Sequence, residues 1–136
     1  MEYSNITNIS YIWSKIKTYI DNLFNTTLIS LYENNNFGNT VTLTSNTVDT
    51  TLGDVFIKTI TENTTFIFTG VPQNKNFTFS IILTNGGSYN VVWPNSVKWS
   101  YGITPSLSTN GIDVITFITP NGGNIWYGSL SLANAS

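Results

Sequence analysis

The sequence predicts a mainly β protein: an antiparallel β-sandwich or jelly-roll-like domain preceded by one N-terminal amphipathic α-helix. Near the N-terminus, apolar residues recur every three or four positions; from residue 41 onward they alternate with threonine and are separated by turn residues. The first pattern is typical of a helix and the second of half-buried strands. A chain of 136 residues has room for one such domain. We therefore predict a helix over 1–27, a connector over 28–40 and a β-sandwich over 41–136.

The predicted helix carries the spacing of a coiled coil. Its apolar residues are separated by 3, 4, 3, 4 and 3 positions, which are the a and d positions of a heptad. Isoleucine at both positions favours three or four strands over two. The poor helix formers Asn25, Thr26 and Thr27 are expected to end the helix. The predicted assembly interface comprises Ile6, Ile9, Trp13, Ile16, Ile20 and Leu23.

Two other roles for this helix stay open. It could lie on the sheet of its own chain, since the same stripe would serve as one face of a core. A helix lying on a membrane surface is less favoured, because its polar face offers only Lys15 and Lys17 as positive charge. In the connector, Leu28–Tyr32 could form a short strand, and 34–39 is rich in asparagine and glycine, which is typical of a turn.

Short β-branched and aromatic runs follow at intervals of about ten residues, which predicts seven or eight strands. Turn residues separate them, and Asn85-Gly86-Gly87 is a strong candidate for a hairpin turn. Other turns are expected at Gly70-Val71-Pro72, Asn110-Gly111 and Pro120-Asn121-Gly122-Gly123. The runs begin near Val41, Val55, Phe66, Phe77, Val91, Val97, Val114 and Ile125.

Composition argues against several functional classes. Charged residues make up 9% of the chain, against about 25% in ordinary domains. The chain contains no arginine and has a net charge of −2, which disfavours a nucleic-acid surface. Histidine and cysteine are also absent, which removes imidazole bases, thiol nucleophiles and thiolate zinc sites. Asp49 and Asp54 are close in sequence but show no catalytic or calcium-binding pattern. We expect no enzymatic activity, no metal and no cofactor.

Aromatic residues offer the strongest signal for a binding site. Trp93, Trp99 and Tyr101 lie within nine positions, and Trp126-Tyr127 follows later. Exposed flat rings beside amide and hydroxyl groups can stack on sugar faces, so Trp99, Tyr101 and Tyr127 are the candidate glycan-binding residues. The competing interpretation places Trp93, Trp99 and Trp126 in the core.

Seven segments carry a resemblance to a known module: Asp54–Phe66, Phe77–Leu83, Asn85–Gly87, Val92–Trp99, Thr104–Leu107, Gly111–Phe117 and Gly122–Gly128. Through them, residues about 41–130 resemble a module that recurs in phage tail-fibre and other virion structural proteins, notably those of marine phages. The resemblance implies a β-sandwich fold, commonly trimeric assembly, and no catalytic residue. The chain departs from most tail fibres in being short and lacking a shaft, and residues 1–40 lie outside the resemblance.

The expected function is a virion structural protein displayed on the particle surface as a homotrimer, acting as a short tail fibre or host-attachment component. Alternatives are a capsid decoration protein or head fibre anchored by its N-terminal segment, and a glycan-binding module. The expected partners are further copies of the chain, other virion proteins of the tail or capsid, and a host-surface glycan. Neither nucleic acid nor membrane insertion is expected.

Overall fold

The computed structural model describes residues 3–29 and 38–136, with side chains from residue 8 onward in the helix. The chain divides into two compact units, Met1–Phe37 and Gly38–Ser136, which we call the N-terminal unit and the β unit. The structure confirms a mainly β protein with one N-terminal helix and a multi-stranded sheet.

The N-terminal unit contains helix α1, Tyr3–Leu23, which continues into a π-helical turn over Phe24–Leu28. The α-helix therefore ends close to the predicted position, but Asn25, Thr26 and Thr27 widen the helical turn instead of ending it. Their low helix propensity costs only tenths of a kcal/mol each, roughly, which is too little to stop a helix by itself. Leu28 and Ile29 are helical where a strand was considered, and the rest of that candidate strand lies outside the described residues.

The β unit contains a six-stranded sheet and two separate strand pairs. The order in the large sheet is β1-β3-β6-β9-β10-β8, and the small pairs are β2–β5 and β4–β7. The strands are β1 (Thr40–Thr42), β2 (Thr47–Asp49), β3 (Val55–Thr59), β4 (Thr64–Thr65), β5 (Ile67–Thr69), β6 (Phe77–Thr84), β7 (Val91–Val92), β8 (Val97–Lys98), β9 (Ile112–Thr119) and β10 (Trp126–Ala135).

The prediction of antiparallel pairing is wrong for most of the unit. Only β6–β9 and β9–β10 are antiparallel, whereas the other five pairings are parallel. Successive strands pass back and forth between the large sheet and the small pairs, so strands that adjoin in space are rarely consecutive in sequence. Asn85-Gly86-Gly87 accordingly ends β6 in a short 3₁₀ turn and forms no hairpin, because β7 pairs with β4. The turn predicted at Pro120–Gly123 does connect the antiparallel strands β9 and β10.

An aromatic core fills the space between the large sheet and the small pairs. Phe79 and Phe117 lie side by side on adjacent strands of the large sheet, with ring centroids 5.1 Å apart. Phe68 of β5 packs edge-on to both rings at 5.0 Å. Trp93 and Trp126 are buried in the same core, as the core interpretation of the sequence expects. We call the face of the large sheet that carries Phe79 and Phe117 its inner face.

One carboxylate is buried beside this core and connects three segments. Asp113, at the start of β9, is fully buried and accepts hydrogen bonds from the Ser108 backbone N–H and hydroxyl, both at 2.6 Å. It also accepts a 3.1 Å bond from the Asn134 N–H near the end of β10. Burial by itself would raise the pKa of Asp113, but the bonds from Ser108 and Asn134 outweigh it and hold the pKa below its usual value.

Asp113→Asn should lower the free energy of unfolding at neutral pH by about 2 kcal/mol, because it weakens charge-assisted hydrogen bonds to buried donors. Since the folded-state pKa is depressed, the charged form stabilises the wild type above the unfolded-state value near 3.8. This stabilisation is lost as the pH falls through the folded-state pKa, so the difference between the two proteins should shrink in acid. Urea denaturation at several pH values measures both effects. Glu62→Gln, at an exposed site, is the control; an Asp113→Asn variant as stable as that control would contradict the role of the buried carboxylate.

Candidate functional site

A cleft of about 320 Å³ lies between the segment that follows β8 and the first half of β10. Two serine residues line it together with apolar side chains and the backbone of a glycine. We call it the β10 cleft. Its lining residues are Trp99, Ser100, Ile103, Pro105, Gly128, Ser129 and Leu130.

Trp99 forms a wall of the β10 cleft and also belongs to the margin of the core. Its ring is half-buried and packs edge-on to Trp93 at 5.8 Å and to Phe117 at 5.7 Å. The same ring covers Gly128 so closely that a Cβ at this position would come within 2.6 Å of a ring carbon. Glycine at 128 therefore allows the ring to lie against the strand. Trp99 thus has the packing role that the core interpretation gave it, while one part of it faces the cleft.

Tyr101 projects from the 3₁₀ turn Ser100–Gly102 and is 97% exposed. Its backbone lies in the left-handed region, with φ 55° and ψ 17°, which costs a non-glycine residue roughly 1–2 kcal/mol. Ile103, two positions later, is 71% exposed. A large aromatic ring and an aliphatic side chain are therefore held in water at the rim of the β10 cleft. Such strain is frequently found at binding sites.

Tyr127 lies on the opposite face of the large sheet from the cleft. Side chains alternate along a strand, so Tyr127 and Gly128 point to different faces, and Gly128 lies under Trp99. The register places Tyr127 between Lys98 of β8 and Ile118 of β9, and it is half exposed there. The structure therefore brings Trp99 to the cleft and Tyr101 to its neighbouring turn, but it does not place Tyr127 on the same surface.

Three apolar lining residues were not singled out from the sequence as site residues: Ile103, Pro105 and Leu130. A signal for the site did exist in the isolated glycine at 128, within an otherwise strand-like run. A glycine in a strand often marks the close approach of another group. Here the group is the ring of Trp99.

The lining of the β10 cleft carries no charge. It contains no titratable side chain, and its polar residues are Ser100 and Ser129. The Ser129 side chain points to the same face as Tyr127, so Ser129 borders the cleft with its backbone. Elsewhere, Asp49 is occupied as a turn residue: it accepts bonds from the Thr51 N–H at 3.0 Å and hydroxyl at 2.7 Å. These two bonds hold the pKa of Asp49 below its usual value. No group of three or more acidic residues suited to a metal ion occurs within 3–29 and 38–136.

The apolar stripe of α1 is a second candidate surface. Its described members are 39–64% exposed, and Ile12 and Tyr19 beside the stripe are exposed as well. Ile6 belongs to the same helix, but its side chain lies outside the described residues. The polar side carries an ion pair, Lys17 Nζ to Asp21 at 2.6 Å. The stripe residues with described side chains are Ile9, Trp13, Ile16, Ile20 and Leu23.

Comparisons of the chain with protein-family profiles, curated proteins and solved structures find no match. Among the described helices, none is both long and apolar enough to span a bilayer.

Gly128→Ala should destabilise the β unit by about 1–3 kcal/mol, because the added methyl group must displace the Trp99 ring from its place beside Phe117. Thermal unfolding followed by tryptophan fluorescence measures the loss. Ser129→Ala, one position along the same strand, is the matched control and should change stability little. Trp99→Leu should relieve part of the cost of Gly128→Ala in the double variant. Strictly additive effects of the two substitutions would show that the ring and the glycine do not interact.

Proposed function

We propose that the chain is a virion structural protein displayed on the particle surface, where it acts as a homotrimeric short tail fibre or host-attachment component without enzymatic activity. The observation that carries the assembly part of this proposal is the exposed apolar stripe of α1 with its heptad spacing. The virion part is supported by the resemblance of residues 41–130 to the fibre module. The absence of titratable groups from the lining of the β10 cleft favours a binding role for that cleft.

The finer fold that goes with this function is a β-sandwich. In our proposal the large sheet is one layer, and the pairs β2–β5 and β4–β7 form the other, with Phe68 as the contact between them. We do not extend the proposal to a jelly roll. That fold consists of antiparallel strands arranged as two Greek keys, whereas β1, β3 and β6 run parallel here.

Trimerisation would remove the apolar stripe from water. Each fully buried isoleucine or leucine stabilises an assembly by roughly 1.5–3 kcal/mol relative to its exposed state. Helix α1 spans 21 residues, or three heptads, which is close to the lower limit for a self-standing coiled coil. Association through the stripe would therefore stabilise the helix and join the copies in one step. Isoleucine at both a and d positions favours three strands or four over two.

Ile16→Asp should convert the trimer into a monomer at micromolar concentration, because it places a charge in the middle of the apolar seam. Sedimentation equilibrium of the full chain gives the mass directly. Thr18→Asp adds the same charge on the polar side of α1 and should remain trimeric. A wild-type chain that sediments as a monomer would refute the assembly proposal, as would equal masses for the two variants.

Host attachment is assigned to the exposed turn Ser100–Gly102, which carries Tyr101. The Tyr101 side chain is 97% exposed and contributes almost nothing to the core. An external ligand therefore explains its left-handed backbone conformation better than packing does. The neighbouring hydroxyls and amides are uncharged, which suits a neutral ligand such as a surface glycan. A glycan-binding module that works without the rest of a fibre is the minor alternative.

Tyr101→Ala should leave the unfolding temperature unchanged or slightly higher, while binding of the labelled full chain to host cells falls at least tenfold. Flow cytometry measures the binding, and thermal unfolding monitors the fold. Leu52→Ala, which removes a 56% exposed apolar side chain from the turn after β2, is the control and should bind like the wild type. Wild-type binding by Tyr101→Ala would exclude this turn as the attachment site.

A capsid decoration protein or head fibre is the second candidate function. The same stripe on α1 favours it, because an exposed amphipathic helix can dock on another virion protein as well as on its own copies. The two roles differ in position on the particle. Density for the chain on the capsid of an intact virion, instead of on its tail, would favour decoration.

A further inference from the structure

Strand β10 is much longer than its neighbour on one side. It extends from Trp126 to Ala135, and β9 pairs along most of this length. On the other side, β8 pairs only with Trp126 and Tyr127. Within residues 38–136, no strand adjoins Gly128–Ala135 on that side. We call this stretch the β10 edge.

Backbone groups of the β10 edge point toward the open side. The N–H of Trp126 donates to the carbonyl of Ser96 at 3.0 Å, so the backbone N–H of Trp126 points toward β8. The backbone groups of every second residue after Trp126 then point to the same side. Alternation along the strand then turns the N–H and C=O of Leu130 to the same side, where the β10 cleft lies. Among the described residues, no backbone hydrogen bond joins the segment Trp99–Pro105 to the β10 edge. The edge therefore offers a free donor and acceptor at the spacing of a β-strand.

The first part of this edge lacks the usual protection against strand pairing. Natural sheets protect exposed edges with lysine, proline, a β-bulge or a covering element. The register of β10 against β9 shifts between Leu130 and Leu132 and again before Ala135, so the stretch open to regular pairing is Gly128–Leu130. The segment Gly128–Ala135 has neither a charge nor a proline, and Ser129, Ser131 and Leu132 are exposed. A segment that pairs with this edge must itself be extended, as in other cases of strand addition. It must also be uncharged, because a charged side chain would lose water on pairing and find no opposite charge on the edge.

We infer that the β10 edge pairs with strand β1 of a second copy of the chain, an inference that rests on the proposed homotrimer. Strand β1 is the opposite edge of the same large sheet. Its sequence, Thr40-Val41-Thr42, is uncharged and alternates like the edge it would meet, with Val41 half-buried and both threonines exposed. The match continues at Leu43, whose N–H donates to the carbonyl of Ile57 in β3 at 2.9 Å. Within residues 38–136, no strand adjoins the far side of β1.

Symmetry selects β1 in preference to a second β10 edge. Two β10 edges would pair about a two-fold axis and give a dimer, whereas β1 of one copy against β10 of the next is a head-to-tail contact that can close into a ring of three. The second arrangement is the one compatible with a threefold α1 assembly. The β10 cleft would then accommodate a side chain of the added strand beside Trp99 and Leu130.

The test measures binding of a fluorescent peptide that copies residues 38–45 to the full-length Ile16→Asp variant, by fluorescence anisotropy. We expect saturable binding that weakens at least tenfold when Ser129→Lys is added to the protein. Thr78→Lys is the matched control: it places the same charge at an exposed position on the same sheet face, on interior strand β6, and should bind like the parent. The same peptide with Thr42→Pro, which cannot continue a ladder, should not bind. Thermal unfolding of each variant confirms that it is folded.

The outcomes separate this inference from the proposed function. A wild-type trimer combined with no peptide binding, or with equal binding by Ser129→Lys and Thr78→Lys, overturns the edge pairing and leaves the α1 trimer intact. Binding of a peptide that copies residues 128–135, in place of the β1 peptide, overturns it in favour of a two-fold contact. A monomeric wild type overturns the proposed trimer, and with it the second copy as occupant, even if the β1 peptide binds.

Discussion

The packing of Phe68 against the large sheet is the interaction on which the β unit depends. This ring lies within 5.0–5.5 Å of the centroids of Phe79, Phe117 and Trp126, which come from three different strands. Strand β5, which carries it, has only three residues and pairs with another three-residue strand. So short a pair is unstable by itself. Packing of this partly buried ring holds the pair β2–β5 against the large sheet. Large apolar rings are the side chains that contribute most per residue to such contacts.

This dependence explains the unusual topology. A hairpin stabilises itself locally, whereas parallel strands pair only after the intervening chain has crossed elsewhere. In the β unit the crossings pass through the small pairs, which are attached by the aromatic core. Asp113 performs a similar task at the other end of β9, where one buried carboxylate joins Ser108 to Asn134. Although the chain has few charges, the Asp113 carboxylate is buried here, where the N–H groups of Ser108 and Asn134 would otherwise have no acceptor.

The same shortage of charge shapes the surfaces. With 9% charged residues, neither the stripe of α1 nor the edge of β10 is guarded by lysine or glutamate. A monomeric protein has to prevent such uncharged surfaces from associating. In the proposed assembly they favour association, because few charged groups must lose their water when the surfaces meet. The proposed contacts along α1 and between β1 and β10 use different features of the chain. One is a side-chain seam and the other a backbone ladder, so they can add to each other in one assembly.

The sequence by itself determined the elements and much of the core. The helical period within 3–23, the alternation from Val41 onward and the turn at 120–123 all follow from local patterns. Burial of Trp93 and Trp126 was one of two interpretations that the sequence left open, and the tertiary structure decided for it. Tertiary structure alone decided which strands adjoin. An alternation of apolar and polar residues shows which face of a strand is buried, but not which strand lies beside it. It therefore could not predict that β3 pairs in parallel with β1 and β6. It also left open that Tyr127 and the Trp99 cleft lie on opposite faces, since that depends on the register of β8 against β10 and on Gly128 allowing an aromatic ring to lie against its backbone.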